Sequence, residues 1–290
     1  MVASKSVIRD YIQLTKPRIA VLLVFTTVTA MMIAADGIPG FDILVATIAA
    51  GALAAGGASA VNQFYDRDMD AKMTRTSRRP IPSGRISPLA ALTYGVTLIL
   101  LSTLILGTFV NWLAASLALA GAIYYVFIYT MLLKRNTVVN IIIGGAAGAI
   151  PVLVGWASVT GELSVEAWLL FAIIFYWTPP HSWALALLVN ADYTRAEVPM
   201  MPAARGEEPA RRQILLYSIL LVALTLLPTP LGMLGNFYLL SAALLGAILL
   251  LFSVQLLQQK TKKATGRMWK YSTAYLALLF LVMIFDSALF

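Results

Sequence analysis

Asn62-Gln-Phe-Tyr-Asp66-Arg-Asp68-Met-Asp70 places an amide and two carboxylates at intervals of four. On a helix, residues four apart are separated by about 400° of rotation, so Asn62, Asp66 and Asp70 fall within an arc of roughly 80° on one face. Side chains so placed can share one ligand. Their oxygens are hard donors suited to Mg2+, an ion that keeps several waters and is often held by one or two carboxylates together with substrate phosphates. A diphosphate would complete that shell. Asp68 lies about 200° round the helix from Asp66, so its expected role is a pair with Arg67 or a neighbouring base. The plain alternative is a solvated helix end balanced by nearby positive charge. Against it stands the cost of stacking repelling carboxylates beside long apolar segments.

Lys72, Arg75, Arg78, Arg79 and Arg85 follow directly, five bases within fourteen positions. Alone, such a run reads as an anchor at the inner face of a membrane. Next to a metal-binding face it gains a second meaning, because arginine and lysine donors can neutralise a leaving diphosphate, and an allylic diphosphate ionises once metal and donors take up its charge. A second candidate is Asn190-Ala-Asp192-Tyr193-Thr-Arg195-Ala-Glu197-Val-Pro199. Asp192 either holds the far side of a metal–diphosphate unit or is a helix-terminal acid paired with Arg195. Lys134 and Arg135 close another apolar segment on the same face. The single histidine, His181, stands in Trp177-Thr-Pro179-Pro180-His181-Ser-Trp183, where the prolines are expected to break or kink a helix. It reads either as a hydrogen-bonded packing residue or as a contact for an iron porphyrin. Tyr124, Tyr125, Phe127, Tyr129 and Phe175-Tyr176-Trp177 belong to a core or interfacial belt, or line an isoprenoid cavity facing a developing carbocation.

The elements that must position these groups are set by hydropathy. The chain has 290 residues, 60% hydrophobic and 12% charged, with a mean hydropathy of +0.84, far from a water-soluble balance. With no cysteine, disulfides, thiolate metal sites and cysteine nucleophiles are excluded. Apolar stretches of spanning length lie at about 19–35, 43–61, 89–110, 113–133, 138–158, 167–189, 214–234, 237–257 and 271–289. Backbone polar groups cannot go unpaired in lipid, so unalternating runs of this length are read as helices. The expected fold is therefore all-α, a polytopic bundle of nine transmembrane helices, its first apolar segment retained rather than cleaved as a signal peptide. All 21 lysines and arginines fall on the connections of one face under this division, while Asp36, Asp42, Glu162, Glu166 and Asp286 fall on the other. The positive-inside rule then places the N-terminus in the cytoplasm, the C-terminus outside, and the acidic and basic motifs on the cytoplasmic side of the cell membrane.

The spacing Asn62-xxx-Asp66-xxx-Asp70 on such a scaffold resembles the UbiA superfamily of intramembrane prenyltransferases. Leu14-Thr-Lys16-Pro17-Arg18, Lys72-Met with Arg75-Thr and Arg79-Pro, Lys134-Arg135-Asn-Thr137 with Asn140 and Gly145, Pro180-His181-Ser-Trp, and Asp192-Tyr193 with Pro199-Met200 resemble its protoheme IX farnesyltransferase, or heme O synthase, branch. These matches run from about residue 11 to 213. The resemblance implies one transmembrane domain over 1–290, with nine helices around a central cavity whose mouth carries the acidic motifs. It implies Mg2+ held by Asn62, Asp66, Asp70 and Asp192, the catalytic set, and substrates contacted by Lys16, Lys72, Arg75, Arg79, Lys134, Asn140, His181 and Tyr193. It also implies farnesyl diphosphate and heme B as substrates, membrane lipid as surroundings, and heme A synthase or oxidase assembly proteins as partners; no nucleic acid is involved. Two positions depart from the pattern. Leu188 stands four before Asp192 where many members carry a second aspartate, and Glu197 stands where the branch usually has glycine. Two other readings stay open: a prenyltransferase acting on an aromatic quinone precursor or other acceptor, and a non-catalytic heme transporter or oxidase assembly factor.

Overall fold

Nine helical rods of 18 residues or more stand among the described residues of the computed structural model, which describes residues 2–289. A short α1 (Val2–Leu14) precedes α2 (Pro17–Ala34) and α3 (Phe41–Tyr65), and a single-turn α4 (Arg67–Lys72) follows. Next come α5 (Pro88–Phe109), α6 (Trp112–Ile123) with a π-helical continuation over Tyr124–Leu133, α7 (Asn140–Thr160) and α8 (Val165–Leu188). Two short helices, α9 (Asn190–Arg195) and α10 (Met201–Arg205), lead to α11 (Glu207–Thr225), α12 (Asn236–Gln259) and α13 (Lys262–Leu289).

Seven rods, namely α2, α3, α5, α6 with its continuation, α7, α12 and α13, are long and apolar enough to cross a membrane by length and composition. The other two expected crossings, α8 and α11, are more polar. Thr178-Pro-Pro-His-Ser interrupts the apolar run of α8. α11 corrects its expected bounds of 214–234: it starts at Glu207, whose carboxylate suits the positive N-terminal end of a helix, and stops at Thr225 ahead of Pro228 and Pro230. The prolines of α8 do not break it, since the helix continues through both to Leu188.

The first rods close on themselves, with α2 packing against α3 and α7, α3 against α5, and α6 between α5 and α7. The later rods close on α8, which touches α11 and α13, and α13 packs back against α2. α3 and α5 approach closely at Gly57, where a Cβ would lie 2.6 Å from the Gly95 carbonyl oxygen. Glycine alone permits that approach.

Candidate active site

α3 delivers the acidic motif. The helix ends at Tyr65 and Asp66 caps it, yet the Asp66 amide still donates to Asn62 O (2.9 Å) and the Asp70 amide to Asp66 O (2.7 Å). The four-residue spacing thus survives the change from α3 to α4. Asn62, Asp66 and Asp70 are all buried. Asn62 Nδ2 donates to Asp66 Oδ2 (2.8 Å) and to Thr130 Oγ1 (3.1 Å), while its Oδ1 accepts from Lys16 Nζ (3.0 Å). Asp66 pairs with Lys134 and lies 3.6 Å from Arg135, and Asp70 pairs with Arg79 at 2.6 Å. Asp68 turns away, as its angle on the helix requires, and its partner is Arg135 (2.7 Å) rather than Arg67, which donates to Phe64 O. The Arg135 guanidinium holds the Asp68 carboxyl down to about 2. Burial, together with the Arg79 and Lys134 charges, pulls the Lys16 ammonium down to about 7.

The basic wall opposite depends on the widened helix after α6. There the Lys134 amide bonds back to Tyr129 O and Thr130 Oγ1 to Tyr125 O, both five residues earlier. Nine residues separate Tyr125 from Lys134. At the 100° step of an α-helix they would face opposite ways, whereas at the roughly 80° step of an i→i+5 helix they share one face. Tyr125, Thr130 and Lys134 consequently all turn toward α3. Thr130 is a site residue that pattern reading did not select, because helical register in a π segment is invisible to a 3.6-residue template.

Asp192 is buried and binds the loop that follows α4. It accepts from the Thr74 amide (3.2 Å), the Arg75 amide (3.3 Å) and Arg195 (3.1 Å). Burial pushes its carboxyl up, but these hydrogen bonds and the Arg195 charge outweigh that and hold it below the usual carboxylate range. Arg195 also donates to Thr74 Oγ1 (3.0 Å), and Arg75 to Tyr193 Oη (3.3 Å). The two long connections are thereby tied together. Asn140 reaches the Lys134 and Pro199 carbonyls (3.5 Å each), and its buried Oδ1 has no partner. Lys72 stays exposed at the rim. Glu197 is exposed too, at φ 57, a left-handed backbone that explains why glycine suits this position.

His181 is not brought to this cluster. It stands on α8 facing α13, stacked on Trp177 (centroids 4.4 Å, planes 17° apart), its Nδ1 2.9 Å from Ser272 Oγ. Of the other aromatic residues, Phe127 is exposed, Tyr124 donates to Ile143 O, and Phe175 and Tyr176 pack on each other.

No three His, Asp or Glu side chains among the described residues converge on one point. What the site offers a metal is partial: hard oxygens, each matched by a base, and a buried Asp66 Oδ1 without a hydrogen-bond partner. That donor set fits a magnesium ion that arrives with phosphate oxygens and keeps waters, and does not form a protein cage for a bare ion. Below the polar groups lies an apolar cavity of about 200 Å3 between α2, α3, α6 and α7, with Lys16, Ser59 and Tyr125 at its upper end. Its walls are small: Ala54, Ala55 and Ala58 on α3, Ala122 and Ala147 opposite. Pattern reading did not select this run of alanine and glycine, from which a cavity could have been read.

Residues 23–283 match the UbiA prenyltransferase family. The chain belongs to that family. Among curated relatives, proteins named protoheme IX farnesyltransferase are about half identical to it. One from Symbiobacterium thermophilum is 50% identical over 98% of this chain and 95% of its own length. Another from Roseiflexus sp. (strain RS-1) is 50% identical over 98% of this chain but 53% of its own length, so the chain spans about half the length of some of the relatives it matches. The bundle superposes on a digeranylgeranylglyceryl phosphate synthase with a TM-score of 0.80 at 17% identity, covering 97% of this chain and 99% of the other. It also superposes on a UbiA homologue from Archaeoglobus fulgidus solved with DMAPP and Mg2+, with a TM-score of 0.66 at 16% identity over 94% and 99% of the two chains. At these identities the likeness bears on the fold, and with the family match it makes the chain an all-α, multi-pass membrane protein of UbiA architecture.

Proposed function

We propose that the chain, as one transmembrane domain, transfers a farnesyl group from farnesyl diphosphate to a vinyl group of protoheme IX, with addition of water, giving heme O and diphosphate. The observation that carries the donor half is the buried Asn62–Asp66–Asp70 face, matched by Lys16, Lys134 and Arg79, standing over an apolar cavity. Support for protoheme as acceptor is the 50% identity to relatives named for that reaction. The concentration of all 21 bases on one face supports a cytoplasmic site, a cytoplasmic N-terminus and an outer C-terminus.

Asn62, Asp66 and Asp70, with Asp192 across the mouth, would hold Mg2+ against the diphosphate. When bound, the metal supplies Lewis-acid charge that favours departure of diphosphate. The residues do the rest. Lys134 and Arg79, which pair with Asp66 and Asp70, would supply donors to the phosphate oxygens of the bound diphosphate. The bond between C1 and the bridging oxygen breaks and its electron pair leaves with diphosphate. The vinyl π electrons then form the new bond to C1, and water captures the resulting porphyrin-side cation and releases a proton. Tyr125, at the junction of polar mouth and apolar cavity, offers its ring face to the allylic cation, and the small-residue walls keep water from it. His181 and Trp177 on α8 are the side chains assigned to the porphyrin, with the Ser272 contact fixing the ring.

The test is to incubate purified protein in lipid with heme B, farnesyl diphosphate and Mg2+, with and without EDTA, and to read porphyrins by mass spectrometry. A metal-dependent gain of farnesyl plus water is expected. Farnesyl release with no porphyrin product would move the acceptor to an aromatic quinone precursor, and no reaction with any acceptor in folded protein would leave the non-catalytic reading.

A further inference from the structure

The cavity beneath the site has a floor, and two glycines above it keep space open rather than serve the backbone. A Cβ on Gly148 would meet nothing within 4 Å, and one on Gly51 only Val24 Cγ2, at 3.9 Å. Neither residue has a positive φ. Both stand inside long helices, where glycine is the poorest ordinary helix former, so neither a turn nor a close packing contact accounts for them. Both line the cavity.

The floor is built where α2 and α7 touch. A Cβ on Gly155 would overlap the Thr27 carbonyl, so the two backbones meet there, next to the lining residues Thr27, Val154 and Ala118. Beneath them Ala50, Ala115 and Ala157 are fully buried in one apolar cluster. Depth follows from helix rise. From Lys16 to Thr27 is eleven residues, or about 16 Å. Gly148 lies seven residues above Gly155, about 10 Å over the floor, and Gly51 lies level with Val24, about 5 Å over it. An isoprene unit repeats every four bonds, about 5 Å when extended. The full depth therefore takes about three units, and the two glycines mark successive unit boundaries.

We infer that this cavity gauges prenyl chain length, with Thr27, Val154 and Ala118 as the stop and with Gly51 and Gly148 keeping room for the last and the next-to-last isoprene units. The inference rests on the prenyl-transfer reading for its ligand class. A side chain added at Gly51 shortens the accepted chain by one unit, and one added at Gly148 shortens it by two. Trimming Val154 removes only two methyl groups, short of the roughly 5 Å that a fourth unit needs, so the Thr27 backbone and the packed alanines still stop it.

The experiment compares wild type, Gly51→Leu, Gly148→Leu and Val154→Ala on an equimolar mixture of geranyl, farnesyl and geranylgeranyl diphosphates with heme B, reading product masses. In parallel, each diphosphate displaces labelled farnesyl diphosphate from the protein without heme. Gly51→Ala and Gly148→Ala serve as folding controls, and Gly51→Val carries the same expectation should the leucine variant not fold. Wild type is expected to favour farnesyl. Gly51→Leu should shift the geranyl to farnesyl ratio by at least about tenfold toward geranyl, Gly148→Leu should lose both, and Val154→Ala should still reject geranylgeranyl. An unchanged chain-length order in the folded glycine variants, with wild type binding farnesyl diphosphate, overturns the gauge. A shifted displacement order without any porphyrin product keeps the gauge and overturns the acceptor, and absence of prenyl diphosphate binding by wild type overturns both.

Discussion

Lys134, at the end of the widened helix, closes on Asp66, whose carboxylate is fully buried beneath it. The pair spans from α3 to the segment after α6, so one ionic contact reports both the acidic face and the π-helical register that supplies its basic partner. A buried charge that loses its partner costs about 3–5 kcal/mol, whereas a neutral replacement of both partners is often tolerated. Lys134→Ala should therefore lower the midpoint of thermal unfolding and abolish turnover. The double variant Asp66→Asn/Lys134→Met should recover most of the stability and none of the activity. Recovery of activity in the double variant would make the pair purely structural.

Asp68 is the internal contrast. It lies within the same nine residues, but its side chain is 62% exposed, and its partner Arg135 is the half-buried base that also comes within 3.6 Å of Asp66. An exposed ion pair contributes about 0–1 kcal/mol. Its carboxyl is held at about 2, below the ordinary carboxylate range, so its small contribution is complete above that range and fades only as pH falls toward 2. Asp68→Asn should leave kcat, KM and the stability profile between neutral pH and mild acid close to wild type. A loss of turnover as large as that of Asp66→Asn would place Asp68 in the reacting site.

Asp192 ties the second long connection to the first by accepting the Thr74 and Arg75 amides. Hydrogen bonds to a charged acceptor contribute about 1.5–3 kcal/mol. Asp192→Asn should raise KM for the diphosphate about 10- to 100-fold, and should speed hydrogen exchange at the amides of residues 74 and 75. Exchange that stays slow there would show that the loop is held by other contacts.

His181 is separated from the acidic face, on α8 against α13. His181→Asn should weaken heme B binding, followed by the Soret band, and leave displacement of labelled farnesyl diphosphate unchanged. An effect on diphosphate binding alone would reassign the residue to the donor side.

Much of this organisation is legible in the sequence. Hydropathy located nine helical rods, seven of them long and apolar enough to cross a membrane, and the four-residue spacing put Asn62, Asp66 and Asp70 on one face and Asp68 on the other. Three things were not legible. The end of α11 depended on Pro228 and Pro230 cutting an apolar run that hydropathy alone extends to Leu234. The role of Thr130 depended on a helix of non-standard pitch. The pairing of Asp192 with Arg195 was legible from charge, but its two further donors, the Thr74 and Arg75 backbone amides, are encoded by no side-chain pattern.

Metal binding should depend on the substrate's phosphates. Asp66 and Asp70 each face a base, and no three acidic or histidine side chains among the described residues converge. A bare Mg2+ would have to displace Lys134 and Arg79 and complete its octahedron from water, which a small, strongly hydrated ion does reluctantly. With diphosphate present the same bases gain new acceptors and the carboxylates become available, so the two ligands should bind cooperatively and to the same extent in either order. Titration calorimetry should show weak or undetectable Mg2+ binding to the protein alone, and a clear saturable event when a non-hydrolysable farnesyl diphosphate analogue is present. The analogue's own affinity should fall by the same factor when EDTA removes the metal. Tight Mg2+ binding without the analogue would mean that the acidic residues form a metal site on their own, and that the ion pairs with Lys134 and Arg79 give way at little cost.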